Sequence, residues 1–177
     1  MEKFYIDNME FIIREATKTD AKALIDYLDK IAQESDFLSF GIGELNITLE
    51  KEETFLENSY NQDNSLMALV MHGERIIGTA SMAGGIKPRF RHVGEMGISV
   101  IKAYWGKGIG EKMIDYMVGW SKQTAIIRKI NLYVRSDNVR ALNLYKKTGF
   151  EVEGAVRRDM LIGNEFYDSI MMGMLID

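Results

Sequence analysis

Between an apolar run that ends at Val100 and a helical stripe that begins near Gly110 lies the hexapeptide Trp105-Gly106-Lys107-Gly108-Ile109-Gly110. A strand that turns into a helix through alternate glycines leaves the backbone N–H groups of the helix start uncovered, and the helix dipole adds partial positive charge there. The result is a cradle for phosphate oxygens at a strand-to-helix junction. Spacing excludes two other cradles. No G-x-x-x-x-G-K-[ST] occurs, and G-x-G-x-x-G fails because Glu111 stands three residues after Gly108. A bare G-x-G-x-G is as often a plain glycine-rich loop, so its meaning depends on its surroundings.

Those surroundings read as one unit. The chain has 177 residues and a single proline, Pro88, with no linker, charge block or repeat, so residues 1–177 are expected to form one domain. Phe11–Arg14 reads as a strand, and a helix follows from Thr19-Asp20 through Leu24, Leu28 and Ile31. Thr48 caps a second helix, with Glu50, Glu52 and Glu53 near its positive end. Leu66–Met71 and Ile76–Met82 form a hairpin through Gly73-Glu74, and His92–Val100 is a third run, containing Gly94 and Gly97. A helix from Gly110 to about Thr124, a strand Ile130–Val134, a helix from Asn138 to Lys147 ended by Gly149, and a closing strand pair around Gly163-Asn164 complete the order. This predicts an α/β fold: a mixed, mostly antiparallel central sheet of about seven strands with helices on both faces.

Composition removes whole classes of chemistry. Without cysteine there is no disulfide framework, no thiolate nucleophile, no Cys-ligated zinc and no iron–sulfur cluster. The two histidines, His72 and His92, have no paired ligand spacing, so no metal is expected. A net charge of -4 argues against a nucleic-acid or anionic-membrane surface. The apolar runs fall far short of the roughly 20 residues needed to span a bilayer. Met1–Asp7 lacks the apolar core of a signal peptide, so a cytoplasmic location is expected.

A second informative segment runs from Leu132-Tyr133-Val134-Arg135-Ser136-Asp137-Asn138 to Ala141-Leu142-Asn143-Leu144-Tyr145-Lys146-Lys147-Thr148-Gly149-Phe150. With the glycine turn, it makes the chain resemble the GCN5-related N-acetyltransferase (GNAT) superfamily. The superfamily's [QR]-x-x-G-x-[GA] turn is matched at Gly108 and Gly110, and its N-x-x-A-x-x-L-Y-x-x-x-G-F pattern at every fixed position from Asn138 to Phe150. Trp105 stands where Gln or Arg is usual, which looks like the variant turn of the ribosomal-protein and amino-acid branches. The resemblance spans about residues 70 to 160.

Acyl-CoA has a charged diphosphate end and a pantetheine arm bearing amides, so it calls for an N–H cradle beside an unpaired strand edge. If Gly97 interrupts the pairing of its strand, backbone groups of Ile98, Ser99 and Val100 are freed for the pantetheine and for the thioester oxygen. Taken alone, Gly97 is more simply a packing bulge. The resemblance implies that these three positions, together with Gly106, Lys107, Gly108, Ile109, Gly110 and Glu111, bind acetyl-CoA. Asn138 is open to two compatible tasks, capping its helix and contacting CoA.

Amine attack on a thioester moves two protons. Tyr145 is the implied acid, since a phenol near pKa 10 can pass a proton to a thiolate near 8.5. Glu95, alternating with Gly97 and Ser99 on one strand face, is a candidate base, directly or through a water; on its own it reads equally well as an exposed strand charge. His92 is the alternative base. Some superfamily members carry a basic glutamate where this chain has Tyr133, so that role does not transfer. The expected activity is direct acetyl transfer from acetyl-CoA to a primary amine of a small molecule such as an amino acid, polyamine or amine antibiotic. A protein N-terminus as acceptor and a non-catalytic CoA-sensing module are the alternatives, and homodimerisation stays open.

Overall fold

The computed structural model describes residues Met1–Asp177. Strands β1 (Glu2–Ile6), β2 (Met9–Glu15), β3 (Ser65–His72), β4 (Arg75–Gly84), β5 (Val93–Val100), β6 (Lys129–Arg135), β7 (Glu151–Ile162) and β8 (Glu165–Leu175) form one sheet in the order β1-β2-β3-β4-β5-β6-β8-β7. Helices α1 (Ala21–Glu34) and α2 (Leu49–Tyr60) lie between β2 and β3; α3 (Ile109–Thr124) follows β5 and α4 (Val139–Lys147) follows β6.

The sheet has eight strands rather than about seven. The extra strand is β1, which turns into β2 through Asp7 and Asn8 at φ 50° and 61°. Consecutive left-handed residues of these types make the tight turn a hairpin needs, and Phe4 stacks on Phe11 across it at 5.4 Å. The expected caps form: Thr48 accepts from the Lys51 amide at 3.3 Å, and Asn138 from the Ala141 amide at 3.2 Å.

Pairing is antiparallel everywhere except between β5 and β6. That parallel ladder holds only Val93–Glu95 against Lys129–Asn131. Beyond it β5 stays with β4 as far as Val100, β6 stays with β8 as far as Arg135, and the two strands part. The expected interruption at Gly97 does not occur, because the β4–β5 ladder runs from Gly84↔Gly94 to Gly78↔Val100 without a register shift. The free edge faces β6 instead, since each of the two strands keeps its antiparallel partner and neither follows the other. The opening lies where both parallel strands end and their helices begin, the switch point at which open α/β sheets take ligands.

The two faces of the sheet are distinguished by side-chain contacts. A Cβ on Gly78, opposite Val100, would meet Met113 of α3 at 3.4 Å, so alternate residues of β5 from Gly94 to Val100 face α3. Glu95, Gly97 and Ser99 face the other way, where Ser99 meets Tyr27 of α1. The core holds Leu24, Leu69, Ile77, Met113, Ile114, Ile130 and Met172, all closed to solvent.

Candidate active site

The turn after β5 takes its form from two glycines. Gly106 and Gly108 have φ 78° and 81°, left-handed values that L side chains resist, and Gly108 is the residue preceding α3. The first α3 amide bonded inside the chain in regular fashion is that of Lys112, to the Gly108 carbonyl at 3.2 Å. The N–H groups of Ile109, Gly110 and Glu111 precede it and have no helical acceptor. Gly110 allows close helix approach: a Cβ there would lie 2.8 Å from Leu144 Cδ2 of α4. Around the cradle, Lys107 pairs with Asp7 at 3.6 Å and Lys147 with Glu111 at 2.6 Å. The Arg140 guanidinium lies 4.8 Å from the Trp105 ring centre and has no carboxylate partner.

Trp105, the departure from the usual Gln or Arg, has a definite task. Its indole Nε1 donates to the Val100 carbonyl at 2.5 Å, folding the turn back onto the end of β5. Of the three backbone positions expected along the pantetheine, Val100 therefore has its carbonyl engaged already, and Ile98 turns its backbone groups to the edge that has left β6. Ser99 turns its own toward Thr79 of β4, because ladder bonds alternate sides along a strand and those of Val93 and Ile101 go to β4.

Tyr145 sits on α4 on the α3 side of the sheet, 6% exposed, its ring edge-on to Phe150 at 5.7 Å. Burial alone pushes its pKa up to about 12, no neighbouring charge or hydrogen bond contributing. Glu95 is exposed on the α1 side and makes no ion pair; it is the last β5 residue paired to β6. His92 is exposed three residues earlier, before the ladder begins, where its carbonyl accepts from the Arg128 and Lys129 amides. Ile98 and Ser99 thus belong to the stretch of β5 that has left β6, and the Gly106–Glu111 turn and Asn138 follow the ends of the two strands. Glu95 stands on the last rung that joins them, Tyr145 lies on the helix after β6, and His92 precedes the paired segment.

Three features of the site gave no sequence signal. The Tyr27 hydroxyl is hydrogen-bonded to that of Ser99 (2.8 Å), which is bonded in turn to that of Thr79 (2.9 Å), fastening α1 to β5 and β4. Burial pushes the Tyr27 pKa up to about 12, against hydrogen bonds from Ser99 and Thr79 that lower it. Arg135, 8% exposed, lies between the rings of Phe37 and Tyr167, 4.3 Å from each centre. It holds Asp137 through two bonds (2.6 and 3.0 Å) and the Asp36 carbonyl at 2.9 Å, and its guanidinium keeps the Asp137 carboxyl below its ordinary range. Asn131 is the third feature: its Oδ1 is buried without a hydrogen-bond partner. No group of three or more His, Asp or Glu side chains is placed to hold a metal ion, and no helix is long and apolar enough to cross a membrane.

A parallel pair splayed beside a glycine-framed helix N-terminus, with antiparallel strands on either flank, defines an α/β acyl-CoA-binding architecture. Residues 25–150 match the Acetyltransferase (GNAT) family, and the chain belongs to that family. A crystal structure of a GNAT-family acetyltransferase from Streptococcus pneumoniae superposes with a TM-score of 0.91 at 32% identity, covering 94% of this chain and 99% of that one. A Salmonella typhimurium structure solved with its cofactor acetyl-CoA shares the fold, with a TM-score of 0.81 at 17% identity over 94% of each chain. The L-amino acid N-acetyltransferase AaaT of Escherichia coli strain K12 is 31% identical over 86 residues, 49% of this chain and 53% of that protein. The chain spans about half the length of the curated relatives it matches.

Proposed function

We propose that this protein transfers an acetyl group from acetyl-CoA directly to the primary amine of a small molecule. The observation that carries the proposal is the opening between β5 and β6, with the uncovered N–H groups of the α3 start following β5 and the helix that carries Tyr145 following β6. Family membership and the likeness to a structure holding acetyl-CoA support the same cofactor.

Acetyl-CoA supplies an acyl carbon already activated as a thioester. The amides of Ile109, Gly110 and Glu111 hold diphosphate oxygens, with Arg140 as a free cation nearby. The backbone of Ile98, which points toward the opening, bonds the pantetheine arm, and its N–H or that of Val100 steadies the thioester oxygen as charge grows there. Glu95, on the α1 side, takes a proton from the acceptor ammonium directly or through a water. The amine nitrogen then forms the new N–C bond as the C–S bond breaks. Tyr145 gives the leaving sulfur its proton and is reprotonated from solvent.

The raised pKa of Tyr145 bears on that last step. From about 12 to a thiol near 8.5, full proton transfer is uphill by about 5 kcal/mol. A turnover of about 10 per second corresponds to a barrier near 16 kcal/mol, so the step is affordable within ordinary catalysis. The phenol stays protonated throughout neutral pH, as an acid must.

The test is calorimetric titration with acetyl-CoA, followed by release of free CoA thiol across a panel of small amines and peptides with free N-termini. Binding and turnover with a small amine are expected. Turnover with peptides alone would replace the acceptor class, binding without turnover would make the protein a sensor, and absence of binding would refute the site.

A further inference from the structure

Asn131 Oδ1 is the single buried side-chain polar atom of the whole chain that has no hydrogen-bond partner. A desolvated amide oxygen left without a donor is a net loss to folding, so its retention calls for an explanation outside the fold. Its position supplies one. Asn131 stands opposite Glu95 as the last rung joining β5 to β6, at the apex of the opening. Side chains of that rung point to the α1 side, away from α3 and away from Tyr145.

The neighbours of Asn131 along the rung are also acceptors. On one side is the unpaired Glu95. On the other is Gly173, and the place where its Cβ would lie is filled by the Glu153 carboxylate. The nearby cation, Lys129, is already held by Glu153 at 2.7 Å. The rung thus presents oxygen from β5, β6 and β7 and no free donor. The group that completes it donates N–H and carries positive charge or none, which describes an alkylammonium and excludes a carboxylate.

We infer that Asn131 is a substrate-binding residue whose Oδ1 accepts a hydrogen bond from the acceptor's primary amine, holding the nitrogen beside Glu95 at the apex of the split. The inference rests on the acetyl-transfer function proposed above. It adds to Glu95 a neutral second acceptor: one oxygen removes the proton while the other keeps the nitrogen aimed at the acyl carbon. The absence of a cation on this rung selects an ammonium that has no carboxylate on the adjoining carbon.

The experiment titrates the protein's CoA complex with butylamine by calorimetry, in wild type and in Asn131→Leu, Asn131→Ser and Asn131→Asp. Acetyl-CoA affinity and Tm are measured for each. Butylamine binding is expected to weaken at least about 10-fold in the Leu variant, to recover in the Asp variant, and to leave acetyl-CoA affinity within about 2-fold of wild type. The Leu variant is expected to melt no lower than wild type, because it removes an unpaired polar group. Unchanged butylamine affinity in Leu and Ser variants, or no butylamine binding to the wild-type CoA complex, overturns the role of Asn131. Equal losses of butylamine and acetyl-CoA binding also overturn it, by assigning the oxygen to the cofactor. If Leu does not fold, Ser carries the comparison. Failure of wild type to bind acetyl-CoA refutes the site itself, whereas normal acetyl-CoA binding with any of the overturning results refutes only the inference.

Discussion

Tyr27 of α1 and Ser99 of β5 are joined hydroxyl to hydroxyl at 2.8 Å, although 72 positions separate them in the chain. Ser99 also bonds Thr79 of β4 at 2.9 Å, so one small chain of hydroxyls ties a helix to the strand that borders the opening. Tyr27→Phe removes one buried bond and leaves the Ser99–Thr79 pair intact. The expected loss is about 1 kcal/mol, or roughly 3 °C in Tm for a domain of this size, read by thermal denaturation. An unchanged Tm would mean that the tyrosine ring alone anchors α1.

Tyr145→Phe keeps the ring that packs on Phe150 and deletes only the hydroxyl. Turnover is expected to fall by roughly 10²–10⁴-fold, with acetyl-CoA affinity changed less than about 3-fold. Steady-state kinetics beside a binding titration separates the two quantities, and an unaltered kcat removes Tyr145 from the mechanism.

The two buried tyrosines also set an alkaline limit. For Tyr27 and Tyr145 the folded-state pKa of about 12 lies above the ordinary 10.0. A raised pKa means that the folded protein keeps protons the unfolded chain has lost. The stabilisation is therefore complete below pH 10 and disappears as pH rises through 12. Two units correspond to about 3 kcal/mol per tyrosine. Denaturant unfolding followed from pH 9 to 12 should show a falling midpoint, and Tyr145→Phe should flatten that fall.

Gly108 has open space where a Cβ would go but a left-handed backbone, φ 81°. Gly108→Ala is therefore expected to act through the backbone alone, at a cost of about 1–2 kcal/mol that relaxes the turn and re-aims the α3 amides. Acetyl-CoA affinity should drop about 10-fold by calorimetry. Gly108→Asn, whose side chain tolerates that conformation, should lose distinctly less. Equal behaviour of the two variants would show that conformation is not what the glycine provides.

Arg135→Ala withdraws a guanidinium from between Phe37 and Tyr167 and from the Asp36 carbonyl. It is expected to destabilise the protein by about 2–3 kcal/mol, the scale of a desolvated cation–π contact combined with a charge-assisted bond. Residues 35–47, held at Asp36, should become the first site of limited proteolysis. A variant that resists protease as wild type does would relieve Arg135 of that task.

Much of the site was legible in local patterns. The G-x-G turn, the Asn138 cap and the Tyr145 helix obey rules that act over a few residues, and all lie where the spacing predicted. Gly97 misled because a glycine inside a strand is a local mark, whereas the parting of β5 and β6 follows from the partners each keeps on its far side. β1 gives a weak strand signal because Glu2 and Lys3 dilute its few apolar residues, although the Asp7-Asn8 pair is a usable turn signal. Asn131 and Arg135 are ordinary polar residues in an alternating strand, and nothing near them in the chain distinguishes them.

The amino-acid sequence by itself determined the family, the helix-start cradle and the helix that carries the proposed acid, because backbone preference, capping and periodicity are settled by near neighbours. Tertiary structure alone decided where the sheet opens, that Tyr145 is buried enough to raise its pKa to about 12, and that one amide oxygen at the apex lacks a donor. Ladder partners and desolvation come from groups tens of residues away, and only the folded chain brings them together.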